Sequence, residues 1–251
     1  MTTISIITPV YNGAATIDGC LQSIDNQTFK NVEHIVIDAA STDATLAIVE
    51  NFPAVHRRVL SEPDTGIYDG MNKGLGLATG DIVGILNADD MYADDKVLQD
   101  VCNVFADSGV GSCYGDLVYV DFHDTAKTVR LWKTGVFNPE KFRWGWMPPH
   151  PTFFVRRKLY EQYGGFNLHL GTAADYELML RFLLKHSVTT RYISRVLVEM
   201  RNCGASNVSL SRRIEANRMD RKAWDVNGLR PLPWTLLCKP LRKLGQWVFK
   251  G

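Results

Sequence analysis

Apolar and β-branched residues gather near the N-terminus in short unbroken runs, each closed by a proline or a polar cluster. Ile4 to Thr8 is closed by Pro9, and Glu33 to Ile37 by Asp38-Ala-Ala-Ser-Thr-Asp43. Unbroken runs of this length, rather than alternating ones, predict strands covered on both faces of a parallel sheet. Between them Ile17, Leu21 and Ile24 recur at helical spacing, with Thr16 placed to cap the start, so the first sixty residues read as strand, helix, strand, helix. Such alternation implies right-handed crossovers within one sheet. Asp81 to Leu86 reads as a third strand and runs straight into Asn87-Ala88-Asp89-Asp90. That puts acidic residues at a strand's carboxyl end, the edge of an open α/β sheet where loops converge and ligands bind.

After residue 110 the pattern changes. Ser112 to Val120 and Val129 to Lys133 read as two strands joined by a polar turn, a β-hairpin. Trp144-Gly-Trp-Met-Pro-Pro-His150-Pro is irregular and aromatic, and reads as a functional loop or surface lid. Asp175 to His186 carries Met179, Phe182 and Leu183 on one face and predicts an amphipathic helix opened by an acid, which suits the positive end of the helix dipole. Arg191 to Met200 is a last strand, and the chain then reads as helical from Ser209 to Asn227. The expected organisation is 1–110 as a nucleotide-binding half, 111–208 as an acceptor-binding half of the same domain, and 209–251 as a C-terminal helical tail.

Composition narrows the function classes. The 251 residues are 45% hydrophobic and 22% charged, enough for a substantial core. Lys+Arg is 28 against Asp+Glu 27, and a net charge of +1 gives no electrostatic reason to expect nucleic acid as partner. The five cysteines, Cys20, Cys102, Cys113, Cys203 and Cys238, are odd in number and form no CxxC pair, which argues against a disulfide framework and a zinc site. The N-terminus lacks the basic start and apolar stretch of a signal peptide, and no apolar run reaches the roughly 18 residues of a spanning helix. A cytoplasmic protein is expected.

Four places carry residue types that suit chemistry. Adjacent carboxylates such as Asp89 and Asp90 are costly on a loop unless solvated or shared by a hard cation, so this turn is a candidate seat for Mg2+ or Mn2+, with a solvated turn or helix cap as the plainer account. Asp38, at the end of the second strand, suits a hydrogen bond to a nucleobase or ribose, or a cap for a helix starting near Ser41. Ser61-Glu-Pro-Asp64-Thr-Gly66-Ile-Tyr-Asp69-Gly70-Met-Asn72-Lys73-Gly74 packs acids, an amide, a lysine and three glycines into fourteen positions, a composition that core packing does not ask for. Its glycines permit close backbone approach and Lys73 suits phosphate, unless the segment is a turn before an exposed helix. Asp175 is a candidate general base or a helix cap, and His150 either contacts phosphate or a metal or is a structural hydrogen-bonding group.

Taken in order, these blocks resemble the inverting family 2 glycosyltransferases with the GT-A fold, of the bacterial polysaccharide or O-antigen type. The likeness rests on Ile4-Ser-Ile-Ile-Thr-Pro-Val-Tyr-Asn12, Ile37-Asp-Ala-Ala-Ser-Thr-Asp43, the Ser61–Gly74 block and Gly80-Asp through Asn87-Ala-Asp-Asp90. It continues through Pro149-His-Pro-Thr-Phe-Phe154, Tyr163-Gly-Gly-Phe166 and Ala174-Asp-Tyr-Glu-Leu-Met-Leu-Arg181, so it spans residues 3 to 205. The resemblance implies an α/β, Rossmann-like, mostly parallel sheet with helices on both faces, plus the small antiparallel hairpin and the helical tail. It further implies that the turn Pro9-Val10-Tyr11 and Asp38 hold a base, usually uracil, and that Asp64, Asp69 and Lys73 line the nucleotide pocket. Asn87-Ala88-Asp89 stands where the family has Asp-x-Asp, with Asn in the first position, Asp89 as metal ligand and Asp90 and His150 as further ligands. Asp175 falls where the family has its catalytic base, with Ala174 in place of the usual preceding Glu. The implied reaction is metal-dependent transfer of a sugar from a nucleoside diphosphate sugar to a hydroxyl of a glycan or polyprenyl-linked saccharide.

The last stretch interleaves Trp234, Leu236, Leu237, Leu241, Leu244, Trp247, Val248 and Phe249 with Lys239, Arg242, Lys243 and Lys250. Such a mixture suits the inner face of a membrane, or docking onto the protein's own core or a second subunit in a homodimer. Rival functions are a nucleotidyltransferase, which would usually carry a basic glycine-rich triphosphate loop near the N-terminus that is absent here, and a catalytically silent nucleotide-sugar-binding module. A nicotinamide dehydrogenase is disfavoured, because Pro9-Val-Tyr-Asn-Gly13 stands where its Gly-x-Gly-x-x-Gly turn belongs.

Overall fold

Strand β1 (Ile4–Val10) is buried along its whole length because it lies inside a sheet covered on both faces. The computed structural model describes residues 2–53, 57–202, 210–236 and 238. Along the sheet the order is β3 (Arg57–Ser61), β2 (Val32–Asp38), β1, β4 (Ile82–Ile85), β8 (Phe154–Arg156), β6 (Ser112–Asp121), β9 (Thr190–Asn202) and β5 (Asp90–Tyr92), with β7 (Thr128–Trp132) paired to β6. The four strands from β3 to β4 run parallel, as do β6 and β9; β8, β5 and β7 run against their neighbours. The β6–β7 pair is the expected hairpin. Since β8 comes from the second half of the chain and pairs both β4 and β6, the two halves share one sheet.

Period two along the strands divides their side chains between the faces. Ile7, Ile35, Ile37, Val83 and Ile85 join the core beneath α3 (Ile67–Leu77), α7 (Ala174–Met179) and α8 (Leu210–Val226). Ile4, Ile6, Ile82 and Leu86 face the opposite core, where α1 (Ile17–Asp25) and α4 (Val97–Phe105) supply Cys20, Ile24, Val97, Leu98 and Val101. A third cluster joins Val10, Ile17, Leu21 and Val36 to Val49 of α2 (Thr45–Asn51).

Several sequence expectations change in detail. The first strand does not stop at Thr8: Pro9 and Val10 belong to it and are not a turn. Val10 accepts from Ala39 on the β2 side and Ile7 from Leu86 on the β4 side, so Pro9 faces the β4 side, where pairing has already ended. Its missing N–H therefore leaves no partner unmet. The run Asp81–Leu86 is the fourth strand in chain order, because Arg57–Ser61 also forms one, an edge strand whose arginines keep that rim polar. Thr16 sits at the start of α1, but its hydroxyl turns back to the Gly13 carbonyl instead of capping a helical amide. The Trp144–His150 segment is no lid: Trp146, Met147, Pro148 and Pro149 are buried, and the Trp146 indole donates to the Thr134 carbonyl. The helix after Asp175 continues past Met179 as a π-helical stretch, Leu180–Lys185.

The expected tail begins as part of the core. Ala223 and Trp224 of α8 are buried against α7, and the Trp224 indole donates to the Tyr176 hydroxyl. Beyond it, Thr235 is buried and donates to the Arg143 carbonyl at the end of α5 (Glu140–Arg143), while Trp144 and Trp234 pack ring against ring. Residues 237 and 239–251, with most of the basic and aromatic positions, lie outside the described residues, as does Cys203. Cys20, Cys102, Cys113 and Cys238 are free thiols.

Candidate functional site

The carboxyl ends of β1, β2, β3 and β4 open on one edge, and short side chains tie the loops leaving them. Asn12, whose φ of 50° a small polar residue tolerates, donates its amide to Ser41 Oγ at 2.8 Å and accepts from the Thr42 amide at 2.9 Å. The Gly13 amide donates to Thr45 Oγ1 at 2.8 Å and that of Ala14 to Asp43 at 3.1 Å. Asp43, hydrogen-bonded most strongly by Thr45, is held below the ordinary carboxylate range. Asp38 is fully buried beneath these loops, accepting from the Ser41 amide and, at 2.6 Å, from Ser61 Oγ. It fixes the exits of β2 and β3 to each other. α2 starts only at Thr45, so Asp38 does not cap it. Above this frame Tyr11 stands 63% exposed.

The Ser61–Gly74 block is a loop followed by a half-buried helix. Gly66, at a φ of 127°, turns the chain into α3, where a side chain would be strained. Asp64 accepts from the Gly66 amide, and Asp69 accepts from the Thr65 amide and hydroxyl, a first-turn acid that satisfies donors just ahead of the helix. These bonds hold the Asp69 carboxyl below its usual range. Lys73 donates to the Pro63 carbonyl at 2.7 Å and pairs with Glu62 at 2.8 Å, so its ammonium braces the loop from behind and its pKa is raised, chiefly by the Glu62 hydrogen bond. Close approach by Gly70 and Gly74 is to the sheet: a Cβ on Gly74 would lie 2.3 Å from Ile7 Cγ2.

At the exit of β4, Ala88 is buried in the turn Asn87–Asp90, closed by the Asp90 amide on the Asn87 carbonyl. The two acids part here. Asp89 is half-buried, and its carbonyl accepts from Arg201 Nη1 at 3.0 Å. Asp90 starts β5, and its carboxyl is fully buried, 3.0 Å from Asn87 Nδ2. Burial, then the Asp89 charge, raises its pKa well above that of an ordinary carboxylate. The expectation of two neighbouring carboxylates presented to a cation is thus corrected: β5 pairing with β9 turns Asp90 inward. Asn87 Oδ1 and Asp90 Oδ1 lack a hydrogen-bond partner. Among the described residues no group of three or more His, Cys, Asp or Glu side chains gathers as a metal cage. The donor set suits an ion that one carboxylate holds together with substrate phosphates, the usual manner of Mg2+.

The second half of the chain reaches the same edge. Antiparallel register sets Val83 opposite Val155, so the chain preceding β8 runs toward the exit of β4 and brings the 3-10 turn His150–Thr152 there. The His150 ring meets Phe166 edge-on with centroids 5.5 Å apart, and Phe166 lies 5.4 Å from the Tyr68 ring of α3. Phe166 is fixed by Asn72, whose side-chain amide bonds both its N–H and its carbonyl. The charge of Asp175, in the first turn of α7, acts on both Tyr68 and His150. Burial lowers the His150 pKa and the Asp175 charge opposes it. Behind Asp175, Glu177 and Arg181 form a buried ion pair at 2.9 Å, and Arg181 also donates to the carbonyls of Tyr163, Gly164 and Gly165. Sequence reasoning passed over Tyr68, Asn72, Arg201 and the Glu177–Arg181 pair. The pair's i,i+4 spacing was the available signal; the other three act across elements distant in sequence.

Residues 5–164 match the family model described as glycosyl transferase family 2. A PGL/p-HBAD biosynthesis glycosyltransferase of Mycobacterium tuberculosis is 33% identical over 203 residues, covering 80% of this chain and 77% of that protein. Two solved structures share the fold. Staphylococcus aureus TarS 1-349 in complex with UDP-GlcNAc superposes with a TM-score of 0.67 at 19% identity, over 90% of this chain and 66% of that one. Mannosyltransferase PcManGT from Pyrobaculum calidifontis, in complex with GDP-Man and Mn2+, does so with a TM-score of 0.67 at 18% identity, over 100% of this chain and 76% of that one. With a curled, mostly parallel sheet, the GT-A-like architecture and a match over more than half its length, the chain belongs to glycosyl transferase family 2 and is a glycosyltransferase.

Proposed function

We propose that this enzyme transfers a sugar, with inversion, from a UDP-linked donor to a hydroxyl of a glycan or polyprenyl-linked saccharide during surface polysaccharide assembly, with Mn2+ or Mg2+ bound alongside the donor. The observation that supports the reading is that Tyr11, Asp38 and the Asn87–Asp89 turn lie where β1, β2 and β4 end, and that His150, on which the Asp175 charge acts, is brought to the exit of β4. Tyr11 offers an exposed ring for a base to stack on, above a loop frame whose shape Asp38 maintains. Asp64 and Asp69, braced by Lys73, hold the loop that borders the nucleotide. Asp89 holds the cation, which when bound supplies positive charge to the departing diphosphate.

Asp175 accepts the proton of the attacking hydroxyl on the face of the sugar opposite the nucleotide. A single base suffices, because a diphosphate leaves as a stabilised anion and needs no second carboxylic acid to protonate it, in contrast to a glycosidase. His150, next to this base and kept neutral by burial, borders the acceptor.

A thermal-shift and turnover panel of nucleotide sugars with and without Mn2+ tests the donor. A UDP-sugar is expected to raise the melting temperature most, in a Mn2+-dependent manner that Asp89→Asn weakens. GDP-sugars belong in the panel, since PcManGT is described with GDP-Man. Stabilisation by GDP-sugars alone would overturn the uracil assignment, and binding without turnover on any acceptor would point to a silent binding module.

A further inference from the structure

The short strand β5 lies at the outer end of the sheet and takes its place from β9. Their ladder ends with Asp90 opposite Met200, so the register sets Asp89, one residue earlier, opposite Arg201. There the pairing passes from backbone to side chain: Arg201 Nη1 donates to the Asp89 carbonyl at 3.0 Å. Arg201 Nη2 lies 3.6 Å from Met91 Sδ, so one guanidinium spans the chain from Asp89 to Met91. Facing it is Gly19 of α1, where a Cβ would come within 3.1 Å of Nη2. The absent side chain leaves the guanidinium room between helix and strand.

We propose that Arg201 is the positioning residue for Asp89, its guanidinium fixing the direction in which the turn presents the Asp89 carboxylate to a cation and the donor diphosphate. The inference rests on the reading of Asp89 as the residue that holds the cation. A seat made of one carboxylate together with substrate phosphates depends on the aim of that carboxylate, because Mg2+ demands near-octahedral geometry. The peptide between Asp89 and Asp90 sets the aim and is held at both ends. Its N–H donates to the Asn87 carbonyl at 3.0 Å, and its carbonyl accepts from Arg201. Without the guanidinium, only the turn's own closing bond steadies that plane. Since β9 also pairs with β6, strands from the second half of the chain thereby set the aim of a carboxylate carried by the first. The positive charge of Arg201 works against a nearby cation, so tighter metal binding on its removal is the outcome that a positioning role excludes.

Arg201→Met keeps the aliphatic stem and deletes the donors. Its Mn2+ affinity in the UDP complex, read by calorimetric titration, should fall on the order of 10- to 100-fold, the scale of losing an outer-shell partner of a metal ligand. Saturating Mn2+ should return UDP affinity to near the wild-type value, which a general loosening of the fold would not allow. Arg201→Lys, which keeps one donor site, should recover part of the loss. Gly19→Leu retains Arg201 and its charge but fills the guanidinium's space from α1, and should weaken Mn2+ in the same direction. Unchanged or tighter Mn2+ binding in Arg201→Met would overturn the positioning role, as would a UDP defect that saturating Mn2+ leaves in place. Should Arg201→Met not fold, unchanged Mn2+ binding in Gly19→Leu would overturn it instead. Mn2+ binding in the UDP complex that Asp89→Asn leaves intact would overturn the reading of Asp89, and this inference with it.

Discussion

His34 shows how far one residue's surroundings fix its chemistry. Fully buried in β2, its ring accepts from Arg57 Nε at 3.1 Å, contacts Thr8 Oγ1 at 3.0 Å, and has no room for a second proton. Burial, then the Arg57 charge, depresses its pKa to about 3. The unfolded chain takes up this proton near the ordinary value of about 6.5, so as pH falls the unfolded state binds it first. Stability is fully present above that ordinary value and drains away as pH drops toward 3, at up to roughly 1.4 kcal/mol per pH unit from this group. Urea midpoints between pH 7 and pH 4 should show this slope, and His34→Gln should flatten it. Equal slopes in both proteins would refute the assignment.

Among the elements, α3 connects most of the story. Its Gly70 and Gly74 face lets the helix lie against β1, and from there Asn72 bonds the Phe166 backbone while Tyr68 packs on the Phe166 ring. Gly74→Ala would set a methyl against the fully buried Ile7 and should destabilise the fold by about 1–3 kcal/mol, read as a lower denaturant midpoint at an unchanged slope. An unaltered midpoint would mean the helix shifts at no cost. The same element marks what the sequence could disclose. Strands β1, β2 and β4 were legible because burial on both faces writes an unbroken apolar run. β3 was not, since an edge strand flanked by arginines lacks that run. The candidate site blocks stood out in the sequence as ordered clusters of acids, amides and glycines. Which acid turns inward was not, because it depends on Asp90 pairing with Met200 more than a hundred positions away. The pairing of Lys73 with Glu62 was not legible either, because it comes from the fold of the preceding loop.

For the whole molecule, one sheet joins both halves of the chain, and α8 packs its buried Trp224 against Tyr176 of α7. No helix among the described residues is long and apolar enough to cross a membrane. The chain leaves α5's side at an exposed aromatic pair, Trp144 and Trp234, and residues 239–251 add four basic and two aromatic positions. Contact with an anionic membrane surface is proposed for that end. Deleting residues 239–251 should abolish co-sedimentation with anionic vesicles while leaving the melting temperature nearly unchanged; identical partitioning would remove the membrane role.

The central claim is that donor capture and proton removal are separable duties at one sheet edge. It is tested most directly by measuring nucleotide-sugar affinity and sugar transfer side by side for the wild type and Asp175→Asn. The account predicts donor affinity within a few-fold of wild type and transfer reduced on the order of 10²- to 10⁴-fold, the range of a lost general base. Undiminished transfer by Asp175→Asn would contradict it.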